Sequence, residues 1–577
     1  MSDVVLNGLE IFAGSGSAAL AERLGQWGKY NIGERIWQRD GTVWIKDPQL
    51  AENTPELSNR LGWLELPETM VEVVASLDKF VQEVVVAGFT RVVVLGMGGS
   101  SLIAEVWAKG FGVAEGFLPV TILDSTHPSA VSSIADVGDL ESTLFLVSSK
   151  SGGTLETLSF FNFFYHQLSH LKELPGENFV AITDPGSKLE KLARKKTFRK
   201  IFSSPSEVGG RYSALTLFGL LPAALLGLPV KDLLARARVM MAACAPEVNP
   251  EANPALQLGA FLGEMARSGR DKLTLVLSPS LQPFAVWLEQ LIAESTGKKG
   301  CGLVPVIADG FDELPFYVKD NALASDRLYL FMRLMDDENS GFDQALAKVK
   351  AETEPSALIT INEVVDLAQE IWRFELATAA IGAVLAINPF DQPDVEAAKI
   401  GARQAMLAWQ ESGSLPVSER LVDGEDLKIS GSVHFAGIAN LKTGLKRFVD
   451  VVTPGDYIAL LVYLPQSRSL ALALQKLQQT LQKYCRVPVT IGYGPRFLHS
   501  TGQLHKGDAN RGLFLQITED VEKDLALPGS DYSFATLIAA QAQGDYQALL
   551  NAGRRILALE LTFANIDEIR LLLVADE

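Results

Sequence analysis

Short apolar runs alternate with helical patterns over most of the chain after about residue 70. Four of them, RVVVLG, PVTILD, TLFLVSS and FVAITD, are each followed by turn residues and a helical stretch. This alternation favours a parallel sheet with helices on both faces. A second set begins at KLTLVLSPS, near residue 272, and continues through GLVPVIA, RLYLFMR and ALITIN. The pattern therefore predicts two successive α/β units.

A third α/β region follows two long helical patterns at about 362–384 and 394–411. Its predicted strands are DYIALLVYL, VPVTIGYG, GLFLQIT and EIRLLLV. The first 65 residues are predicted to be helices and an aromatic-rich segment, too short for a further catalytic domain. The predicted division is an N-terminal extension (1–65), two doubly wound domains of flavodoxin-like character (66–228 and 229–415) and an α/β C-terminal region (416–577).

Composition narrows the class of protein. The 577 residues are 47% hydrophobic, but the longest apolar run, ALTLFGLLPAALLGL, contains Pro222 and is too short to span a bilayer. The start, MSDVVLNGLEIF, lacks the features of a signal peptide, and the three cysteines are far apart without a CxxC pair. We therefore expect a cytoplasmic protein with no membrane partner. The net charge of −18, without a basic run, argues against nucleic acid as its main partner.

The first strand leads through Gly96-Met97-Gly98-Gly99-Ser100 into a helix. Backbone amides at a helix N-terminus bind anions, and glycine lets the chain approach closely, so the loop is typical of a phosphate site. A plain tight turn is the simplest alternative. Another is a dinucleotide site, because GxGxxS is close to GxGxxG and Asp124 ends the next strand, where a ribose-binding acid would lie.

A second loop of similar chemistry follows the strand TLFLVSS. Ser149, Lys150, Ser151 and Thr154 surround two glycines just before a helical stretch. Hydroxyls, a lysine and free amides together favour a monophosphate site, although a solvated serine-rich loop is the alternative. A dinucleotide would not need this second loop.

Two further segments carry charged groups in unusual positions. Arg211 follows Gly209 and Gly210, just ahead of a helix. In PFAVWLEQLIAESTGK, Gln290 and Glu294 are one helical turn apart at the rim of an apolar face. Partial burial can raise the pKa of such a glutamate toward that of a general base, whereas most helical glutamates are simply solvated.

A related spacing occurs in NPFDQPDVEAAKIG. Gln392 and Lys399 are seven residues apart, so on one helix they face the same way. Such a lysine could donate a proton or contact an anion, although a lone lysine is more often a surface residue.

Five blocks, in order, resemble the signature blocks of the glucose-6-phosphate isomerase family, which has the sugar-isomerase (SIS) fold. They are GMGGSS, SSKSGGTLET, VGGRYS, LIAESTGK and NPFDQPDVEAAK, and the resemblance spans about residues 60–410. The chain is most similar to the isomerase half of fused transaldolase and phosphoglucose isomerase proteins, including NRLGWL and GPRFLHSTGQLHKG. The resemblance implies interconversion of glucose 6-phosphate and fructose 6-phosphate through a cis-enediolate, in glycolysis and gluconeogenesis.

The same resemblance implies a role for each matching residue. Glu294 would be the base that moves a proton between C2 and C1, and Arg211 would stabilise the enediolate. Lys399 would assist ring opening. The implied substrate-binding residues are Gly98, Gly99, Ser100, Ser149, Lys150, Ser151, Thr154, Gly210, Gln290 and Gln392.

One departure from the family concerns the ring-opening histidine, which usually lies between the glutamate block and the glutamine and lysine block. This chain has no histidine between Glu294 and Lys399. The nearest matching text, LHSTGQLHKG, lies at residues 498–507. We expect His499 to supply the imidazole, with His505 the weaker candidate; alternatively, both belong to an unrelated C-terminal domain.

The reaction is an internal redox change by proton transfer, so we expect no metal and no organic cofactor. The expected partners are a hexose 6-phosphate substrate and a second copy of the chain in a homodimer, and the resemblance to fused proteins adds a separate transaldolase. Two other functions stay open at this point. One is a non-catalytic sugar-phosphate-binding protein of the SIS fold, and the other is a dinucleotide-dependent oxidoreductase using the loop at residues 96–100.

Overall fold

Strands and helices alternate through the chain as the hydrophobic pattern predicts. The structure, a computed structural model, describes all residues except 1–3, 138, 309, 311–317, 320–321, 324, 417, 426, 562–565 and 575–577. The N-terminal elements are β1 (Gly8–Phe12), α1 (Ser17–Lys29), α2 (Ile32–Trp37) and α3 (Pro48–Asn53).

The first sheet lies within residues 66–228 and is entirely parallel. The elements of this part are α4 (Leu66–Thr69), α5 (Val74–Val86), β2 (Arg91–Gly96), α6 (Leu102–Phe111), β3 (Val120–Leu123), α7 (Pro128–Asp136), β4 (Thr143–Ser148), α8 (Leu155–Ser169), β5 (Phe179–Thr183), α9 (Lys188–Lys195), β6 (Lys200–Ser203) and α10 (Leu217–Leu226). The strand order is β3-β2-β4-β5-β6. One face packs on α5, α6 and α10, and the other on α7, α8 and α9. The chain therefore reverses direction across the sheet between β2 and β4, where ligands of such sheets bind.

The second sheet lies within residues 229–415, with one strand from the N-terminal segment. The elements are α11 (Val230–Ala243), α12 (Pro254–Arg267), β7 (Lys272–Leu277), α13 (Phe284–Thr296), β8 (Val304–Ile307), β9 (Val318–Lys319), β10 (Ala322–Leu323), β11 (Arg327–Leu334), α14 (Ser340–Ala351), β12 (Ser356–Ile361), α15 (Leu367–Leu385) and α16 (Val395–Ser412). The order is β1-β12-β11-β7-β8, with β1 antiparallel and the other strands parallel.

The N-terminal segment is built into these two domains. Strand β1, which the sequence did not reveal, covers the edge of β12. Trp63 stacks on Tyr212 at 5.4 Å between ring centroids and meets Trp372 edge-on at 6.2 Å. The amide of Gly62 donates to the carbonyl of Glu207. The N-terminal segment therefore packs against the loop that carries Arg211.

The third sheet belongs to the C-terminal region. Its elements are β13 (Val422–Asp423), β14 (Leu427–Gly431), α17 (Leu441–Asp450), β15 (Tyr457–Tyr463), α18 (Arg468–Cys485), β16 (Val489–Tyr493), α19 (Gly502–Gly507), β17 (Gly512–Glu519), α20 (Phe534–Asn551), β18 (Arg555–Leu561) and α21 (Ile566–Val574). The order is β13-β14-β18-β17-β15-β16, parallel from β18 to β16.

The predicted fold class, two doubly wound α/β domains with an α/β C-terminal region, is confirmed. The predicted strand EIRLLLV is wrong, because these residues belong to helix α21, and the strand of this region is Arg555–Leu561. An apolar run of this length fits a buried strand or one face of a helix, so periodicity alone could not decide. The predicted domain boundaries stay predictions.

Helices α16 and α20 cross at two glycines, and this contact joins the C-terminal region to the rest. A Cβ on Gly544 would lie 2.4 Å from the backbone nitrogen of Ala402 and 2.8 Å from the carbonyl oxygen of Ala398. Because backbone atoms cannot yield as a flexible side chain can, even an alanine would force the helices apart.

We expect Gly544→Ala to lower the free energy of unfolding by about 1–3 kcal/mol, the usual cost of overpacking. Calorimetric melting of the full chain measures the loss as a lower transition temperature. The matched control is Gly25→Ala in α1, where a Cβ meets nothing within 4 Å. Equal melting of the two variants would contradict this account of the helix contact.

Candidate active site

The two hydroxyl-bearing loops lie side by side at the carboxyl edge of the first sheet. Gly96 at the end of β2 pairs with Ser148 at the end of β4, and the Ser148 hydroxyl donates to the carbonyl of Ser100 at 2.7 Å. The hydroxyl oxygens of Ser149 and Thr154 lie 2.9 Å apart, directly before α8. The free amides at the start of α8 add to the hydroxyls, so the arrangement suits a phosphate group.

Two glycines of the first loop allow other segments to approach closely. Gly98 has a φ of +54°, and a Cβ there would lie 2.6 Å from the carbonyl oxygen of His499. A Cβ on Gly99 would lie 2.1 Å from the carbonyl oxygen of Gly210. Glycine is therefore required at both positions by protein contacts, independently of any ligand.

Lys150 is held by an acidic partner. Its ammonium donates to Asp184 at 2.6 Å and contacts the carbonyls of Pro205 and Ser206. Burial lowers the pKa of Lys150, although the contact with Asp184 opposes the shift. The amine would reach a phosphate on the loop only after this ion pair opens.

Arg211 is buried, and its guanidinium is fixed from several sides. It donates to the Ser295 hydroxyl at 2.7 Å, to Gln392 Oε1 at 3.0 Å and to the carbonyl of Pro389 at 2.6 Å. It also lies 3.4 Å from Glu294 Oε1. These contacts fix a positive charge beside a carboxylate that is itself 9% exposed.

Helix α13 supplies the residues next to this charge. Gln290 donates from Nε2 to Glu294 Oε2 at 3.0 Å and to the carbonyl oxygen of His499 at 2.7 Å. Lys298, just beyond this helix, donates to Asp391, and burial together with repulsion by Arg211 lowers its pKa to about 8. Lys298 was not predicted from the sequence.

His499 reaches the same place from the C-terminal region. Its Nε2 lies 2.9 Å from Glu156 Oε1, which also accepts a hydrogen bond from Gln541 at 2.7 Å. Burial alone would raise the pKa of Glu156, but the attraction of His499 outweighs it, so the pKa lies below its usual value. Because an ionised carboxylate can only accept a hydrogen bond, Nε2 is the donor in this contact.

A cavity of about 200 Å³ lies between His499 and the loop that precedes α8. Its lining includes Ser151, Thr154, Glu156, Lys399 and His499. The Lys399 amine pairs with Glu396 at 3.0 Å. Glu294, Arg211 and Gln392 lie outside this lining and connect to it through the hydrogen bond from Gln290 to His499.

His505 takes no part in the cavity. It is buried among the rings of Tyr457, Phe497 and Phe514, and burial lowers its pKa well below the usual range. Of the two candidate histidines, the geometry favours His499.

Besides Lys298, two other residues of the candidate site, Glu156 and Gln541, were not predicted from the sequence. Glu156 belongs to the block SSKSGGTLET but was given no role, although its position directly after the loop that ends at Thr154 was a usable signal. Gln541, from α20, had no signal at all, because no motif surrounds it.

A larger cavity, of about 460 Å³, lies in the C-terminal region beside Trp409, Tyr463, Glu519 and Glu560. Among the described residues that line it, none is a predicted site residue, so we do not assign the chemistry there. In the described part of the chain no three histidine, cysteine or acidic side chains are grouped to hold a metal ion. Nor is any described helix long and apolar enough to cross a bilayer.

Known proteins match both the sequence and the fold. The family model of phosphoglucose isomerase matches residues 68–302. The glucose-6-phosphate isomerase of Thermosynechococcus vestitus is 32% identical over 423 residues, covering 64% of this chain and 75% of the relative. That of Methanocaldococcus jannaschii is 30% identical over 343 residues, covering 54% and 83%.

A solved glucose-6-phosphate isomerase from Chlamydia trachomatis has the same fold, with a TM-score of 0.57 at 18% identity, covering 68% of this chain and 87% of that one. Fold and site together define an aldose-ketose isomerase built on two SIS-type domains. More specifically, the chain belongs to the glucose-6-phosphate isomerase family. The predicted family and enzyme class are confirmed.

We expect Gly99→Ala to reduce kcat/KM on the order of 100-fold, since displacing site groups by about 1 Å can cost that much. The added methyl group would push the loop that carries Arg211 away from the loop at residues 96–100. Gly110→Ala in α6 is the matched control, because its Cβ meets only the carbonyl of Ser280 at 3.8 Å. Wild-type kinetics in Gly99→Ala would refute the close approach.

Proposed function

We propose that the residues around the glycine loop interconvert glucose 6-phosphate and fructose 6-phosphate by proton transfer through a cis-enediolate. The observation that carries this proposal is the buried pair of Glu294 and Arg211, 3.4 Å apart. A hydrogen next to a carbonyl is removed quickly only when a base and a charge-stabilising cation act together. This pair supplies both.

Glu294 is the base that moves the proton between C2 and C1. Its hydrogen bond from Gln290 orients the carboxylate, and its low exposure removes competing water. Arg211 stabilises the negative charge of the enediolate. The many partners of Arg211 support this role, because a fixed donor needs no reorganisation as the charge develops.

The phosphate binds at the carboxyl edge of β2 and β4. Ser149, Ser151 and Thr154 donate hydroxyls, and Ser100, Gly98 and Gly99 contribute from the neighbouring loop. Lys150 contacts the phosphate once its ion pair with Asp184 opens, or attracts the phosphate from a distance through its positive charge. Gly210, Gln290 and Gln392 contact the sugar.

His499 opens the sugar ring by protonating the ring oxygen as the bond between C1 and that oxygen breaks, and Lys399 assists. The C1 hydroxyl releases its proton to solvent as the aldehyde forms. The contact between His499 Nε2 and Glu156 supports this role, because a carboxylate that accepts from one ring nitrogen fixes the tautomer and the orientation of the ring. The presence of Lys399 in the same cavity lining is consistent with the assignment.

The chemistry needs neither a metal nor an organic cofactor, because the aldehyde and ketone interconvert by proton transfer within one substrate. A sugar-phosphate-binding protein without activity would not need a buried base beside Arg211. An oxidoreductase would need Asp124 free for a ribose, whereas Asp124 lies 3.3 Å from Arg496. Both alternatives are therefore less consistent with the geometry.

A homodimer, a contact with a transaldolase and a cytoplasmic location stay predictions from the resemblance and composition. His499 contacts Glu156 and Gln290 within its own chain. These contacts support a site whose catalytic side chains come from one chain.

The test separates proton transfer from ring opening by using two substrates. A four-carbon aldose phosphate has no free hydroxyl with which to close a ring, so exchange of its C2 hydrogen with solvent needs only the base. We expect Glu294→Gln to lower kcat at least about 100-fold on both substrates, because a general base commonly contributes that much to the rate. The variant should still bind both substrates.

His499→Ala is expected to lower kcat about 100-fold on cyclic glucose 6-phosphate, because the ring-opening acid is lost. Hydrogen exchange at C2 of the four-carbon substrate should continue at the wild-type rate. Coupled dehydrogenase assays and deuterium incorporation measure the two rates. Unchanged turnover of the cyclic substrate by His499→Ala would refute its role. Full activity of Glu294→Gln would refute the whole proposal.

A further inference from the structure

Arg496 begins the short 3-10 helix, Arg496–His499, that presents His499. Its guanidinium does not stay within the C-terminal region. It donates to Glu105 Oε2, and its Nε lies 3.3 Å from Asp124 Oδ2. Both carboxylates belong to the first domain. The Arg496 side chain therefore connects the C-terminal region to the first domain.

The partners of Arg496 flank the glycine loop. Glu105 is in the first turn of α6, directly after the loop, and Asp124 follows β3, the neighbour of β2. Asp124 is also the residue that a dinucleotide site would have used for a ribose. Its position at the strand end is explained here by the contact with Arg496.

The ion cluster is largely shielded from water. The side chains of Arg496, Glu105 and Asp124 are 17%, 11% and 7% exposed. Burial alone would raise the pKa of Glu105, but Arg496 and Lys109 outweigh it and lower the pKa to about 2. Removing one partner from such a cluster leaves buried charge uncompensated, so the contact strongly favours the docked position of the helix.

Other arginines of the C-terminal region have different partners. Arg555, for example, pairs with Asp456 of its own region at 2.8 Å. Loss of that pair would weaken the region itself without releasing the histidine from the first domain. Arg555 is therefore a suitable control.

We propose that Arg496 is a positioning residue, which docks the turn bearing His499 onto α6 and the end of β3. It touches no substrate and acts by keeping His499 within hydrogen-bond distance of Glu156. This inference rests on the ring-opening role proposed for His499.

The experiment is a double-mutant cycle on the full chain, with cyclic glucose 6-phosphate as substrate. We expect Arg496→Gln to lower kcat at least about 10-fold and to change KM little, because it impairs the acid step rather than binding. In the His499→Ala background the same substitution should cause no further loss. Arg496→Lys should restore part of the activity, and exchange on the four-carbon substrate should stay unchanged.

Arg555→Gln is the control, with the expectation of lower thermal stability and normal kinetics. Arg496→Gln that is folded and fully active would overturn the proposal. So would an equal loss in the wild-type and His499→Ala backgrounds, since Arg496 would then act independently of the histidine. If Arg496→Gln does not fold, Asp124→Asn replaces it with the same expectations and the same contradicting results.

Failure of this inference differs from failure of the proposed function. If His499→Ala itself keeps full activity on the cyclic substrate, the ring-opening role is wrong and the premise falls. If His499→Ala is impaired while Arg496→Gln is not, only the positioning role is wrong.

Discussion

The close approach at Gly98 and Gly99 is the constraint on which the site depends. The turn of His499 lies against Gly98, and the loop of Arg211 lies against Gly99, at distances that leave no room for a Cβ. A phosphate loop normally has glycine so that its backbone can approach the ligand. Here the same glycines also let two other segments of the protein approach the loop, which brings an imidazole and a guanidinium to one edge of the first sheet.

Each part of the chain supplies something that the others lack. The first domain offers the phosphate loops and Glu156, and the second offers Glu294, Gln290 and Lys399. The C-terminal region supplies His499, which we propose takes the role of the family histidine that usually lies between the glutamate and lysine blocks. The N-terminal aromatic residues support the Arg211 loop. The histidine is therefore displaced in the sequence but lies at the site in space.

Much of the fold could be predicted because buried parallel strands are nearly continuous apolar runs. The loops at the ends of β2 and β4 could be recognised because their glycines and polar residues end such apolar runs. The ambiguous run EIRLLLV was misassigned because its length fits either a strand or a helix face. The edge strand β1 was missed because it is only five residues long and its three apolar residues are interrupted by a glutamate.

The contacts within the site were harder to predict, because they join residues far apart in sequence. Nothing near Arg496 indicates that its partners are Glu105 and Asp124, and nothing near Lys150 points to Asp184. The pairing of His499 with Glu156 spans 343 positions. Motifs identify the residue types that a reaction needs, whereas domain packing decides which of them meet.

In the proposed mechanism one chain supplies every catalytic group, including His499. A complementation experiment tests this directly. Chains with Glu294→Gln and chains with His499→Ala, each with a different affinity tag, are co-expressed or mixed, and the mixed assemblies are isolated and assayed. If His499 acts within its own chain, every site lacks one group and the mixture stays as inactive as either variant. If His499 acts across an interface, one site of each mixed dimer is complete, and recovery of about half the wild-type activity would contradict the account.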